Sequence, residues 1–251
     1  MTAAGSADEA GSPVTRLRQE HALERRIELL ERAPLFSVLP PPELRTLAAK
    51  FHALRFRRGE MIFREGEPAE RMFVIEHGRV KLSSSSPQGG ELLIAVVGPG
   101  QIFGELAVID RGPRAMDGTA MEDSQVYALS SDVFWTLLET NAPLARRLLE
   151  LMARRLRRAD KTTQDLVFFD ASTRLARKLL ELAEEHGEPT GNGDEVRLLV
   201  RVTQEEMAQM IGVSRGSVNR LISSFASRGW LDWNDGYPLL CSPESLLRRS
   251  H

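Results

Sequence analysis

The hydrophobic rhythm of the chain changes several times, and each rhythm predicts a different kind of element. From Pro13 to Ala33 the chain is rich in Arg, Glu and Leu and reads as a leading helix. Pro40-Pro41-Pro42 then opens a shorter helix with Leu44, Leu47, Ala48 and Phe51 on one face. From His52 to Ser130 short apolar runs alternate with polar residues and glycines, as in Met61-Ile62-Phe63, Met72-Phe73-Val74-Ile75 and Leu92-Leu93-Ile94-Ala95-Val96-Val97. Many short strands with regular turn signals predict a β-barrel or sandwich. From Ala142 the period is helical again. Ala145, Leu149, Met152, Leu156, Ala159, Thr163 and Leu166 keep alternating steps of four and three. That heptad predicts a coiled-coil seam. Its flanks carry Arg146, Arg147, Glu150, Arg154, Arg155, Arg157 and Arg158, and a narrow apolar stripe between charged flanks favours pairing of two copies over a helix laid on the strand region.

Asp170 can cap a following helix that runs to about His186 and stops at Gly187, after which Glu188–Gly193 reads as a loop and Val196–Val202 as a strand. Thr203-Gln204-Glu205-Glu206 is a capping box, with Met207, Ala208 and Ile211 facing inward. Gly212 supplies a tight turn and Ser214 caps a second helix, in which Val218, Leu221, Ile222 and Phe225 bury one face. The opposite face carries Arg215, Gly216, Ser217, Asn219, Arg220 and Ser223. A helix, a glycine turn and a second helix with a polar, arginine-bearing, acid-free face have the geometry of a major-groove reader. Trp230–Trp233 and Pro238–Cys241 read as a small hairpin, a wing.

Composition narrows the classes. With 251 residues the chain holds two ordinary domains, and 42% apolar with 27% charged residues is the make-up of a soluble globular protein. No run approaches the ~20 apolar residues of a membrane helix, and Met1–Ser12 lacks the basic start and apolar core of a secretory signal. A cytoplasmic protein with no membrane partner is expected. Cys241 is the single cysteine, which excludes an internal disulfide and an iron–sulfur cluster held by four thiolates. His21, His52, His77 and His186 lack the spacing of haem ligands. No catalytic motif or P-loop occurs, so no enzyme is expected, and the rival class, a nucleotide-sensing module of an enzyme or channel, has no such partner segment here. Net charge is only −2, but Met207–Leu231 contains no acid and holds Arg215, Arg220 and Arg228, a local basic stripe of the kind a DNA reader needs.

From about Leu29 to Arg248 the chain resembles the CRP/FNR superfamily of transcription regulators. The strand region carries Phe63-Arg64-Glu65-Gly66-Glu67, Ile75-Glu76-His77-Gly78-Arg79-Val80 and Phe103-Gly104-Glu105-Leu106-Ala107, then Gly112-Pro113-Arg114; the last two segments are similar to a phosphate-binding cassette. Met152–Arg158 looks like the dimerisation helix, and Val213–Arg220 like the recognition helix. The resemblance implies an α+β architecture: a disordered tail (1–22, with the helical pattern already starting at Pro13), a jelly-roll sensor domain (23–141), a long dimerisation helix (142–169) and a winged helix-turn-helix (170–251). It implies a homodimer on a near-palindromic double-stranded operator, with RNA polymerase as a further candidate partner.

As ligand-binding residues it implies Gly104, Glu105, Leu106, Arg114 and Ala115, with Ala159 and Asp160 of the long helix; as DNA-binding residues, Thr203, Gln204, Ser214, Arg215, Gly216, Ser217, Asn219 and Arg220. Glycine lets backbone amides approach an anion, Glu105 can accept from a ribose hydroxyl, and Arg114 offers a planar charged fork to a cyclic phosphate. The sequence departs from the pattern at three places. Ala115 stands where nucleotide-binding members carry a hydroxyl, Asp160 suits the donor edge of guanine better than adenine, and Gly216 replaces a cytosine-reading Glu. The effector expected first is cyclic AMP, then cyclic GMP or cyclic di-GMP. The alternative is a nucleotide-independent regulator with a degenerate sensor.

Overall fold

A computed structural model describes residues 13–85 and 91–250; the expected tail Met1–Ser12 lies outside the described residues. Helix α1 (Pro13–Arg32) starts at a proline, as helices tolerate, so the last ten residues of the 1–22 segment are helical rather than tail. Helix α2 (Pro41–Ala48) follows the proline run as expected. Then come β1 (His52–Phe56), β2 (Met61–Phe63), β3 (Arg71–His77), β4 (Val80–Ser85), β5 (Glu91–Val97), β6 (Ile102–Phe103), the short α3 (Leu106–Ile109), β7 (Asp117–Ala120) and β8 (Ser124–Ser130). They form two four-stranded sheets, ordered β1-β8-β3-β6 and β2-β7-β4-β5, the jelly-roll arrangement.

Strand β3 explains why Met72–Ile75 is an unbroken apolar run: both of its faces are covered. Met72 and Val74 join a core built with Leu30, Leu44, Phe51 and Phe134. Phe73 and Ile75 point the other way, into a core between the sheets with Phe63, Val80, Phe103 and Val126. Helix α4 (Ser131–Thr140), which the hydrophobic pattern did not mark out, buries Phe134 in the first of these cores. Asn141 then caps the long α5 (Ala142–Phe168), its Oδ1 accepting from the Leu144 amide at 3.0 Å.

The chain divides into two compact units, one reaching Leu82 and resuming over Ala95–Met152, the other formed by Ser83–Ile94 and the chain from Ala153 onward. The division therefore falls inside α5, because Leu144 and Leu148 are buried in the first unit's core while the rest of the helix is not. No helix among the described residues is long and apolar enough to cross a membrane, and no group of His, Cys, Asp and Glu there could hold a metal ion.

The second unit holds α6 (Ala171–His186), β9 (Gly187–Pro189), β10 (Val196–Leu198), α7 (Gln204–Ile211), α8 (Arg215–Ser227), β11 (Leu231–Asn234), β12 (Tyr237–Leu240) and α9 (Pro243–Arg249). Its sheet runs β11-β12-β10-β9, and Leu175, Leu179, Met207, Ile222, Phe225 and Leu246 are in its core. The expected loop after Gly187 begins as strand β9. Gly187 ends α6 in extended backbone rather than a left-handed cap. A side chain there would lie 2.4 Å from the Ala183 carbonyl and 2.5 Å from Val196, so close approach, not backbone conformation, demands the glycine. The expected strand Val196–Val202 is shorter, ending at Leu198. Between β11 and β12, Asp235 and Gly236 both take positive φ, the two-residue hairpin turn that Asp-Gly favours.

Asp170 caps α6 as the pattern predicts, accepting from the Thr173 amide at 2.7 Å, and Arg249 of α9 adds a bond at 2.6 Å. The Thr173 amide, then Arg249, hold its carboxyl at about 2, below the usual carboxylate value. A depressed value adds stability at pH above about 4 and loses it as pH falls towards 2. The side chain is 63% exposed, so solvent screens the Arg249 pair and the cap dominates. Asp170→Ala is expected to cost about 1 kcal/mol at neutral pH and far less near pH 2, measured by denaturant unfolding at both values.

Candidate functional site

The helix-turn-helix forms as its local chemistry requires. Thr203 Oγ1 accepts from the Glu206 amide at 3.1 Å, and Glu206 Oε2 accepts from the Thr203 amide at 2.7 Å. Gly212 adopts φ 65°, a left-handed turn that favours glycine. Ser214 then accepts from the Ser217 amide and starts α8. Val218, Ile222 and Phe225 are buried, so the opposite side of α8 faces outward. Arg215, Gly216, Asn219 and Arg220 are exposed, and Ser217, Thr203 and Gln204 are half-buried.

Arg220 is steadied by Ser217, its Nη2 donating to Oγ at 3.1 Å, and Ser217 Oγ lies 3.0 Å from Ser214 Oγ. Among the described residues neither Arg215 nor Arg220 has a carboxylate partner, so both charges are available to an anionic surface. Arg228, the third arginine of the acid-free stretch, lies instead over the Trp230 ring at 5.0 Å. Gly216 has space around it: a side chain's first carbon would find its nearest neighbour, Arg220, at 3.9 Å.

In the first unit the cassette segment is fixed by backbone pairing. Arg114 donates its amide to Glu67 O and accepts from the Gly66 amide, each at 2.8 Å, beside the Pro68–Pro113 bridge. Its side chain is 5% exposed and runs inward. Nη1 donates to the Gly104 carbonyl at 2.6 Å and Nη2 to the Arg71 carbonyl at 2.7 Å; Nε is buried without a hydrogen-bond partner among the described residues. The guanidinium lies over Phe63 at 4.4 Å and near Phe73 at 5.6 Å. Phe63, Phe73 and Phe103 stack with ring centres 5.0–5.9 Å apart. Gly104 has φ 71°, and a side chain there would meet Arg114 Nη1 at 2.7 Å.

Burial, then the charge of Arg71, push the Arg114 guanidinium down, while Glu105 and Glu67 oppose them. It stays charged all the same. A cavity of about 380 Å³ opens onto Arg114, lined also by Phe56, Ile62, Phe63, Arg71 and Phe73. A larger groove of about 840 Å³ runs along Ala107, Val108, Arg111 and Trp135.

The structure thus brings Gly104 and Arg114 into direct contact and keeps Glu105 buried, while Leu106 and Ala115 are exposed. Ala159 and Asp160 fall in the second unit, exposed on α5. The aromatic stack and Arg71 are absent from the sequence-based set. The only signal for them was the alternation of Arg71, Phe73 and Ile75 along one strand.

The heptad positions are the third feature. Leu149 is 70% exposed, Leu156 64% and Leu166 42%. Ala159 and Thr163 are exposed beside them, with Thr163 Oγ1 donating to Ala159 O at 3.0 Å; Ala145 and Met152 are half-buried. Large apolar side chains in a stripe on a single helix are the mark of a surface that awaits cover.

Comparison with known proteins gives two family matches. The cyclic nucleotide-binding domain family matches residues 53–141, and the Crp-like helix-turn-helix domain family matches residues 173–249. The chain is 35% identical to the CRP-like cAMP-activated global transcriptional regulator of Mycobacterium tuberculosis, over 89% of this chain and 99% of the relative. It is 31% identical to the cyclic AMP receptor protein of Thermus thermophilus, over 78% and 87% of the two chains. Its fold is similar to FixK2 from Bradyrhizobium japonicum, with a TM-score of 0.71 at 22% identity, covering 80% of this chain and 98% of that one.

Proposed function

Because the chain belongs to the CRP/FNR family of transcription regulators, with a cyclic nucleotide-binding domain and a Crp-like helix-turn-helix domain, we propose that it is a homodimer whose DNA affinity is set by a cyclic nucleotide, cyclic AMP first. The observation that carries the nucleotide reading is Arg114. It is a buried cation at a cavity, with both terminal nitrogens resting on neutral carbonyls and Nε without a partner among the described residues. A phosphate could take those donors and turn neutral bonds into charge-assisted ones. Names of the mycobacterial and Thermus relatives favour cyclic AMP over cyclic GMP and cyclic di-GMP. Binding would shift a pre-existing equilibrium between arrangements of the dimer, in proportion to its differential affinity for them.

A second reading has its own observation. Ala115 is exposed and brings no hydroxyl, and Arg114 is already held by the protein. A degenerate sensor on a nucleotide-independent regulator would look the same. Titration calorimetry of the full chain against cyclic AMP, cyclic GMP and cyclic di-GMP separates the two. We expect cyclic AMP to bind, Arg114→Ala to weaken it by about 2–3 kcal/mol, and Ala115→Ser to strengthen it by about 0.5–1.5 kcal/mol. No heat from the wild type with any of the three, and none gained by Ala115→Ser, would establish the degenerate sensor.

A further inference from the structure

Arg71 opens β3, and the alternation of a strand puts it on the same face as Phe73 and Ile75. That face looks into the core between the sheets, where Phe73 packs against Phe63 and Phe103. Arg71 and Arg114 line the same cavity, and Arg114 is tied to the backbone of Arg71 by the 2.7 Å bond from Nη2. The Arg71 charge is felt at Arg114, where it opposes the second positive charge. Arg71 is exposed, and its side chain has no hydrogen bond or ion pair among the described residues. Glu67 and Glu70 also border the cavity; Glu67 Oε2 accepts from the Arg64 amide at 3.0 Å, and the charges of Glu67 and Glu105 offset part of the repulsion felt at Arg114. Two guanidiniums that share a cavity repel each other, a cost that an anion lodged between them removes.

A cyclic phosphodiester has two free oxygens. One guanidinium can meet each, or both can share one, and a planar fork suits either arrangement. The segment after Arg114 lacks a hydroxyl to complete the phosphate's shell, since Ala115 stands there. We propose that Arg71 is a second ligand-binding cation of this cavity, meeting the nucleotide's phosphate in place of the hydroxyl that Ala115 lacks. The inference rests on the nucleotide reading above and names a residue that reading does not use.

The test is a double-substitution cycle on the full chain, with cyclic AMP as the probe in titration calorimetry. Arg71→Gln should weaken binding about tenfold, the loss of one charge-assisted bond. It should also flatten the fall of affinity with salt. Ala115→Ser should gain clearly more in the Arg71→Gln background than in the wild type, because hydroxyl and guanidinium compete for one phosphate oxygen. Arg71→Lys, which keeps charge but not the fork, should fall between wild type and Arg71→Gln, and equal melting temperatures verify folding. Unchanged affinity in Arg71→Gln, or equal gains from Ala115→Ser in both backgrounds, would overturn the assignment of Arg71 and leave the nucleotide reading intact. A wild type that gives no heat overturns both.

Discussion

Replacing Leu149 and Leu156 together with Asp is expected to turn a dimer into monomers and to abolish tight operator binding. Both leucines are largely exposed on a single chain, at 70% and 64%, so the fold itself does not need them. In a paired seam each would bury a side chain worth about 1.5–3 kcal/mol, twice over by symmetry. The substitution removes that burial and faces four carboxylates across the seam, each costly to desolvate. The summed change is on the order of 10 kcal/mol, beyond what a two-helix interface can absorb. Sedimentation should give the mass of one chain with an unchanged circular dichroism spectrum. A double variant that still sediments as a dimer would mean that the copies associate through another surface.

The second large effect concerns α8. Arg215 and Arg220 stand on its outward face, without carboxylate partners among the described residues, and Ser217 steadies Arg220 at 3.1 Å. A guanidinium bidentate to guanine is worth about 1–3 kcal/mol, and a two-fold protein uses each arginine twice, so each Arg→Ala should cost about 2–6 kcal/mol on a palindromic site. Discrimination should relax at one base pair per half-site. The check is a binding titration on an operator selected from random DNA, at fixed salt, with single-base variants. A uniform loss across sequences would identify the contacts as phosphate contacts instead, and an unchanged affinity in both variants would exclude α8 as the reader.

Features readable from sequence were those fixed by neighbours within a few positions. Thr203, Glu206, Gly212 and Ser214 announce the helix-turn-helix because caps and turns are local chemistry. The heptad from Ala145 to Leu166 announces an exposed stripe for the same reason. Asp170 was legible as a cap, but its bond to Arg249, 79 residues away, was not. Gly187 illustrates the limit: glycine after a helix suggests a left-handed stop, whereas here the closeness of Val196 is the reason.

The sensor site was legible as a motif and not as a shape. Gly104 and Arg114 could be matched by pattern, but that Arg114 spends its two donors on the carbonyls of Gly104 and Arg71 depends on how the strands pair. The stack of Phe63, Phe73 and Phe103 was hidden likewise, since β2, β3 and β6 meet only in the folded sheets. Helix α9 went unmarked because its one fully buried apolar residue, Leu246, makes no periodic pattern over seven residues.

A nucleotide in the Arg114 cavity is expected to control the α8 surface of a dimer. Fluorescence anisotropy of the full chain on a selected palindromic duplex, at constant salt, with and without saturating cyclic nucleotide, tests it most directly. Affinity should be at least about tenfold higher with nucleotide, corresponding to a coupling of about 1.4 kcal/mol, with no such difference in Arg114→Ala. Equal affinity with and without nucleotide in the wild type would contradict it.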